Sequence, residues 1–282
     1  MTATAATLRT GLRRGLRSFV ISLRNPVDLT SYLVGTVVFV VVLHLYSDRE
    51  LAAGASVALY LVPGALAFGV AFGGTFGVAA QVATEAEDGT LLRLRAVPRG
   101  PSVYVAGETT RAAIELAFNV VLLLVPATLI VTGLWAGGPE AVLRLLSVLV
   151  LGALACIPLG LIIGAALRNP RTVGGWGLLV MGALVASAGI FTPVTALPGW
   201  VQVVAQVFPL YWLGLGLRGA LLPDGAVVVE LGEQWRTVEM YGVLGLWAVA
   251  GLLLAPVVLR RAARRQSGST LAARRERALQ RA

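Results

Sequence analysis

Side chains that commonly carry out chemistry are scarce in this sequence. It contains one histidine, His44, and one cysteine, Cys156, so it cannot build a histidine cluster, a cysteine metal site or a disulfide. All 23 basic residues are arginines, which excludes the lysine-containing phosphate loop of many ATP-binding proteins. We therefore predict that the chain is not an enzyme and has no catalytic residue, no metal site and no cofactor of its own.

The charged stretch Gln81–Glu108 is the most informative one for function. It carries, in chain order, Glu85, Glu87, Asp88, Gly89, Thr90, Arg93, Leu94 and Pro98. Gly89 can bend the chain, and Thr90 is a suitable N-cap for a short amphipathic helix that ends before Pro98. Such a helix suits a soluble partner, although the residues by themselves favour an ordinary polar loop.

The elements around this stretch are strongly apolar. Hydrophobic residues make up 57% of the 282 residues and charged residues 13%, whereas soluble domains have about 45–50% and about 25%. A soluble protein of this length cannot bury so much apolar surface, so we predict an integral membrane protein. Six segments reach the roughly 20 residues needed to cross a bilayer: Leu29–Tyr46, Ser56–Val82, Leu116–Trp135, Leu145–Leu167, Val173–Phe191 and Met240–Leu259.

The arginines predict the orientation of these spans. Nineteen of them lie in the N-terminal tail, the second and fourth connections and the C-terminal tail. The opposite side has four, namely Arg49, Arg144, Arg218 and Arg236. By the positive-inside rule both termini are cytoplasmic, in a multi-pass protein of the cell membrane. Orientation and anionic lipid therefore explain the basic excess, and we expect no nucleic-acid partner.

Two further segments are predicted to be helical without crossing the membrane. On a helix the N-terminal residues Leu8, Leu12, Leu16, Phe19 and Leu23 share one stripe. This stripe predicts a helix in the cytoplasmic interface with its arginines toward lipid phosphates, a solvated basic tail being the alternative. Pro209 divides Val201–Leu222 into pieces too short to cross, which predicts two re-entrant half-helices in the outer leaflet, covered by protein.

The predicted fold class is thus an all-α integral membrane protein with six transmembrane helices. An amphipathic interfacial helix (1–26) precedes the transmembrane domain (27–259), and a basic cytoplasmic tail (260–282) follows it. The domain includes a cytoplasmic coupling loop (83–111) between spans two and three and an external re-entrant region (192–239) between spans five and six.

Small and charged residues inside the spans suggest two further features. Gly69, Gly73 and Gly77 recur every four residues, which favours close helix approach within one subunit or a dimer or pathway face. Glu115 follows Arg111 by four residues, with Glu108 one turn earlier. This spacing favours a structural ion pair at the cytoplasmic edge of span three over a proton carrier.

Two motifs resemble those of a known family. Glu87, Gly89, Thr90, Arg93, Leu94 and Pro98 match the signature E-x-G-T-x-x-R-L-x-x-x-P of type-2 ABC exporter permeases. The external region resembles that family's pattern F-x-P, LP-x-W, NP-L-x-Y and R at Phe191, Pro193, Leu197, Pro198, Trp200, Pro209, Leu210, Tyr211 and Arg218. The chain departs from the family at Phe208, where asparagine is usual, and at Glu108, where lysine is frequent. The class includes permeases similar to the daunorubicin exporter and polysaccharide exporters.

The resemblance implies a division of labour between subunits. Two permeases, as a homodimer or a paralogous heterodimer, would each dock a separate ABC ATPase through Glu87–Pro98, giving two ATPase copies. ATP and Mg would bind to that ATPase. Its closure would be transmitted by the coupling helices as a rigid-body change of the spans.

The remaining expectations concern the external gate and the substrate. Pro193, Pro198, Trp200, Pro209, Tyr211 and Arg218 are expected to form the gate. Trp200 and Tyr211 would lie at the headgroup level, and Arg218 would reach outward or pair with Asp224 or Glu230. A pathway of Leu, Val, Ala and Gly suits a drug-like or lipid-like amphiphile, hence drug efflux and antibiotic resistance. Export of a polysaccharide or glycolipid and proton-coupled secondary transport are the alternatives, and the substrate's identity stays open.

Overall fold

The computed structural model describes residues 3–47, 49–52, 55–94 and 99–265, most of which are helical. The helices are α1 (Ala3–Arg24), α2 (Pro26–Tyr46), α3 (Val57–Glu87), α4 (Thr90–Arg93), α5 (Gly100–Ile130), α6 (Gly138–Leu167), α7 (170–187), α8 (Gly199–Ala205), α9 (Pro209–Leu221) and α10 (Thr237–Arg265). The strands β1 (Glu50–Ala52) and β2 (Ala55–Ser56) pair antiparallel between α2 and α3. Short 3-10 turns lie at Val194–Ala196, Asp224–Val229 and Leu231–Glu233. Most of the predicted basic tail (260–282) lies outside the described residues.

Five of these helices are long and apolar enough to cross a membrane: α2, α3, α5, α6 and α10. They confirm the predicted spans one to four and six. The fifth predicted span, Val173–Phe191, corresponds to α7, which is about 27 Å long at the usual helical rise. Its Gly-rich first half and Arg171 lower its hydropathy, so it is not one of the five. That α7 crosses the membrane stays a prediction.

Helix α6 lies at the centre of the bundle and packs closely against α3. A Cβ added at Gly160 would be 2.5 Å from the carbonyl oxygen of Gly74, and one at Gly164 would be 2.5 Å from that of Ala79. These two glycines therefore let the backbones of α6 and α3 approach directly. Phe72–Gly77 of α3 forms a π-helical turn within the helix, a local widening that often marks functional sites.

The two half-helices α8 and α9 meet at an angle of 90°. Helix α9 is buried almost throughout, whereas α8 is largely exposed. The carbonyl groups left free at the break are satisfied by indole donors: Trp212 Nε1 donates to Gln206 O (2.7 Å) and Trp247 Nε1 donates to Val207 O (3.0 Å). Protein groups thus cover the broken backbone, as predicted for a re-entrant pair.

Helix α1 packs along α5 through small residues. A Cβ added at Gly11 would be 2.5 Å from Ala106 Cβ, and one at Gly15 would be 2.5 Å from Gly107 O. The predicted leucine stripe lies beside this contact and points outward, with Leu8, Leu12 and Leu16 about half exposed. Phe19 is the one buried member of the stripe, and its ring meets Phe118 edge-on at 5.7 Å. An exposed apolar stripe on an anchored helix is consistent with the predicted interfacial position.

A lateral cleft between the coupling segment and the external lid

The chain turns sharply at Gly89, directly after α3. Its φ of 77° lies in the left-handed region, which favours glycine over residues with a Cβ. Gly89 precedes the first residue of α4, Thr90, so the prediction that Thr90 caps this helix is wrong. Helix α4 is a single turn, anchored by the buried side chain of Leu91. Pro98 lies outside the described residues.

Charged side chains of both signs are exposed around this turn. They are Glu87, Asp88, Arg93 and Arg99. The guanidinium Nη2 of Arg93 donates to the carbonyl oxygen of Asp88 (3.2 Å), which holds it beside the turn. Leu94 is partly buried, and its carbonyl group lies so close to Gly100 that any Cβ there would collide with it. Exposed charged side chains on a closely packed turn are the features expected of a surface that docks a soluble protein.

Arg14 joins helix α1 to the C-terminal end of α3. Its Nη2 lies 3.5 Å from Glu85 Oε2, and its guanidinium lies 4.8 Å from the ring centre of the buried Tyr104 in α5. Gln81 Nε2 donates to the other Glu85 oxygen (3.0 Å). Helices α1, α3 and α5 are therefore joined two residues before Glu87, where the predicted coupling segment begins.

Arg111 holds two acids on α5, as the spacing predicts. Its Nε and Nη2 donate to Glu108 Oε1 (3.0 and 2.7 Å), and its Nη1 donates to Glu115 Oε2 (2.6 Å). Glu115 Oε1 also accepts a hydrogen bond from Tyr32 of α2 (2.5 Å). The ion pair is confirmed, and Arg111 is shared between two carboxylates.

A cleft of about 640 Å³ lies between α2, α3 and α5. Its walls are mainly apolar, and the predicted glycines Gly69, Gly73 and Gly77 lie along it. A Cβ added at Gly69 would have 3.9 Å of clearance, to Leu123. A Cβ added at Gly73, however, would be 2.9 Å from Leu116 Cδ2 of α5, so this glycine lets α3 and α5 pack closely within the subunit. Gly69 and Gly77 favour the pathway interpretation, whereas Gly73 serves both the cleft and the packing.

Four phenylalanine rings form a ladder on α3 and the segment after α7. Phe68 and Phe72 stack at 5.1 Å, Phe72 and Phe76 lie at 4.8 Å, and Phe191 lies 6.0 Å from Phe68. Phe68, Phe72 and Phe191 line the cleft. At the opposite end the cleft is continuous with a polar pocket of about 250 Å³ that includes Ser22, Asp28, Gln81 and Arg111. The cavity therefore has one apolar and one polar end.

Arg218 is buried at the end of the bundle that the sequence predicts to be external, and it pairs with Glu230, one of the two acids predicted for it. Their side chains are 0% and 1% exposed. Nε and Nη2 of Arg218 donate to the two oxygens of Glu230 (2.5 and 3.0 Å), and Nη1 donates to Gly189 O (2.9 Å). We call residues 189–236, which this pair joins, the external lid. The alternative in which Arg218 reaches outward is wrong.

The other predicted gate residues have distinct places in the lid. Pro193, Pro198 and Pro209 each stand at the beginning of a helical turn or helix, where a fixed φ is tolerated. Trp200 is 72% exposed, in line with its expected headgroup position. Tyr211 is fully buried with its ring edge-on to Trp212 at 5.1 Å, so its predicted headgroup position is wrong.

The order and placement of these elements agree with a family match. Residues 15–222 match the ABC-2 type transporter family, which is most of the chain. The chain belongs to the ABC-2 type transporter family. A comparison with curated proteins finds no match.

Membership makes the chain a permease subunit of an ABC transporter and a multi-pass membrane protein. It also implies that the chain lies in the membrane and partners with an ABC ATPase. The chain is thus a transport component. The family match favours this reading over proton-coupled secondary transport.

Proposed function

We propose that this ABC-2 permease exports an amphipathic, drug-like or lipid-like compound and is energised by a separate ATPase. The observation that carries the proposal is the cleft between α2, α3 and α5, with apolar walls and a polar cytoplasmic end. Sites for small molecules are mostly apolar with a few placed polar groups, which matches this arrangement. A drug-efflux or antibiotic-resistance role would follow from such a substrate.

The phenylalanine ladder supports a second candidate, export of a glycolipid or polysaccharide. Aromatic rings can stack against sugar rings as well as against apolar groups, and three of the four phenylalanine rings line the cleft. The polar pocket of about 250 Å³ is small beside the apolar cleft, which favours the drug-like or lipid-like compound.

We further propose that the ATPase docks at the exposed turn Glu87–Pro98, with both termini of the permease in the cytoplasm. Two permeases, identical or paralogous, would dock two ATPases that bind ATP and Mg. Because Arg14 joins α1 to α3 near this turn, movement imposed at the turn reaches the interfacial helix and the lower end of the cleft together. The lid would then open for release to the outside.

The experiment is co-purification of the permease with the ATPase encoded beside it, followed by substrate-stimulated ATP hydrolysis in proteoliposomes. Arg93→Ala should reduce ATPase retention, by about 1–3 kcal/mol of binding free energy if Arg93 pairs with a desolvated acid. Arg260→Ala, an exposed arginine on α10, is the matched control. If both variants retain and stimulate the ATPase equally, Arg93 is not part of the docking surface.

A further inference from the structure

The polar end of the cleft is rich in hydrogen-bond acceptors, and its hydroxyl donors are already engaged. Four hydroxyl groups line it, those of Ser22, Ser31, Tyr32 and Thr36. Ser22 donates to Asp28 (2.7 Å) and Tyr32 to Glu115 (2.5 Å). Ser31 and Thr36 donate to backbone carbonyl groups one turn earlier (both 2.9 Å). What these groups still offer to a ligand is lone pairs.

Two side-chain amides at this end, those of Gln81 and Asn119, each use one N–H within the protein and each carry an acceptor oxygen; Gln81 Nε2 donates to Glu85 Oε1 (3.0 Å). Asn119 Nδ2 donates to the backbone oxygen of Glu115 (2.9 Å), and its side-chain oxygen is an acceptor. The guanidinium of Arg111 directs three of its nitrogens at Glu108 and Glu115. Arg111 is therefore occupied by acids of its own helix.

The charges at this end sum to a negative value. Asp28 and Glu115 line the polar pocket together with Arg111, and Glu108 lies behind Arg111. The two carboxylates that line the pocket outnumber its single guanidinium, which is also shared with Glu108. Within the described part of the chain, Asp28 forms no salt bridge, and its carboxylate accepts a hydrogen bond from the neutral hydroxyl group of Ser22.

We propose that this polar end binds a primary ammonium head group, while the apolar body of the same molecule lies along the phenylalanine ladder. An ammonium group carries three donors and no acceptor, the complement of this lining. Its hydrogen bonds to carboxylates are charge-assisted and stronger than those of a neutral hydroxyl group. A carboxylate or phosphate head would meet net negative charge, hydroxyl donors that are engaged and a guanidinium that already binds two carboxylates. The inference rests on the proposed function, because it names the class of amphiphile that the cleft takes.

Two sources can supply this chemistry, an amphipathic amine and a membrane lipid with a primary amine, such as phosphatidylethanolamine. The purified full-length permease in phosphatidylcholine nanodiscs is titrated with radiolabelled dodecylamine, and binding to empty nanodiscs is subtracted. Dodecanol and dodecanoate serve as competitors with the same chain and a neutral or anionic head. A second set of nanodiscs contains phosphatidylethanolamine. Lower dodecylamine binding in this set identifies the lipid as an occupant of the cleft, and unchanged binding identifies the soluble amine as the occupant.

We expect dodecylamine to compete at least about tenfold more strongly than dodecanol or dodecanoate, since a hydrogen bond to a charged group is worth about 1.5–3 kcal/mol. Asp28→Asn keeps the shape and removes the charge, so it should weaken amine binding about tenfold, whereas Asp28→Glu should retain it. Glu140→Gln is the matched control, because Glu140 is an exposed carboxylate in the first turn of α6, paired with Arg144 and outside the lining of the cleft. Gly69→Leu should fill the apolar part and lower amine binding without altering the polar end.

Three results would overturn the head-group site. They are equal competition by dodecanol, unchanged amine binding in Asp28→Asn, and no saturable binding because a second copy covers the cleft. The proposed function fails separately. Selective amine binding without ATP-dependent export refutes the export function alone, and export without selectivity for the ammonium group refutes the head-group site alone.

Discussion

Removing the charge of Glu230 should destabilise the external lid strongly. Glu230→Gln keeps the volume of the side chain, but it leaves the fully buried guanidinium of Arg218 without its counter-charge. Breaking one partner of a buried ion pair costs about 3–5 kcal/mol in free energy of unfolding. The bond from Arg218 Nη1 to Gly189 O persists in the variant, so we expect the lower end of that range, about 3 kcal/mol.

The measurement is the unfolding midpoint of the detergent-solubilised protein, followed by tryptophan fluorescence. Glu233→Gln is the matched control, because Glu233 is an exposed acid in the same loop, and it should change stability by no more than about 0.5 kcal/mol. The double variant Arg218→Met, Glu230→Leu removes both charges and should recover most of the loss. Equal midpoints for Glu230→Gln and Glu233→Gln would show that the pair does not hold the lid.

Three other changes test the cytoplasmic side. Gly89→Val places a β-branched residue at a φ of 77° and should abolish ATPase co-purification, whereas Gly89→Asn, which tolerates this region, should retain it. Gly15→Val should detach α1 from α5 at a cost of about 1–3 kcal/mol, seen as faster hydrogen exchange in α1, while the exposed Leu16→Val should not. A cysteine at Thr270 in a Cys156→Ala background should react with membrane-impermeant maleimide only from the cytoplasmic side. Labelling of intact cells from outside would contradict the predicted orientation.

Hydrophobic length and local spacing account for the features that sequence reasoning found. The long apolar segments appear as helices, and Arg111 pairs with acids three and four positions away. The break at Pro209 is visible because proline cannot continue a helix. These features depend on residues that are close together in the chain, so the sequence pattern predicts them directly.

The features that sequence reasoning missed depend on residues far apart in the chain. Gly11 and Gly15 create the α1–α5 contact by having no side chain, so hydrophobic periodicity points instead to the neighbouring leucine stripe. Arg14 and Glu85 are far apart in the chain, so no local spacing predicts their contact. The residue type of Tyr211 predicts a position at the membrane surface, yet α9 lies inside the bundle, where packing overrides that preference. The cleft itself is a space between three helices, which a linear pattern does not encode.

The indole caps at the break between α8 and α9 provide the protein with intrinsic optical reporters. Trp212 and Trp247 approach the same break from different helices, and the chain contains six tryptophans in total. Indole emission is sensitive to whether the ring nitrogen donates to a carbonyl group or to water. A rearrangement that separates α8 from α10 would transfer the Trp247 donor from Val207 to solvent and alter its emission, and the difference from a Trp247→Phe variant isolates that signal. Movement at this break can thus be followed without an attached dye.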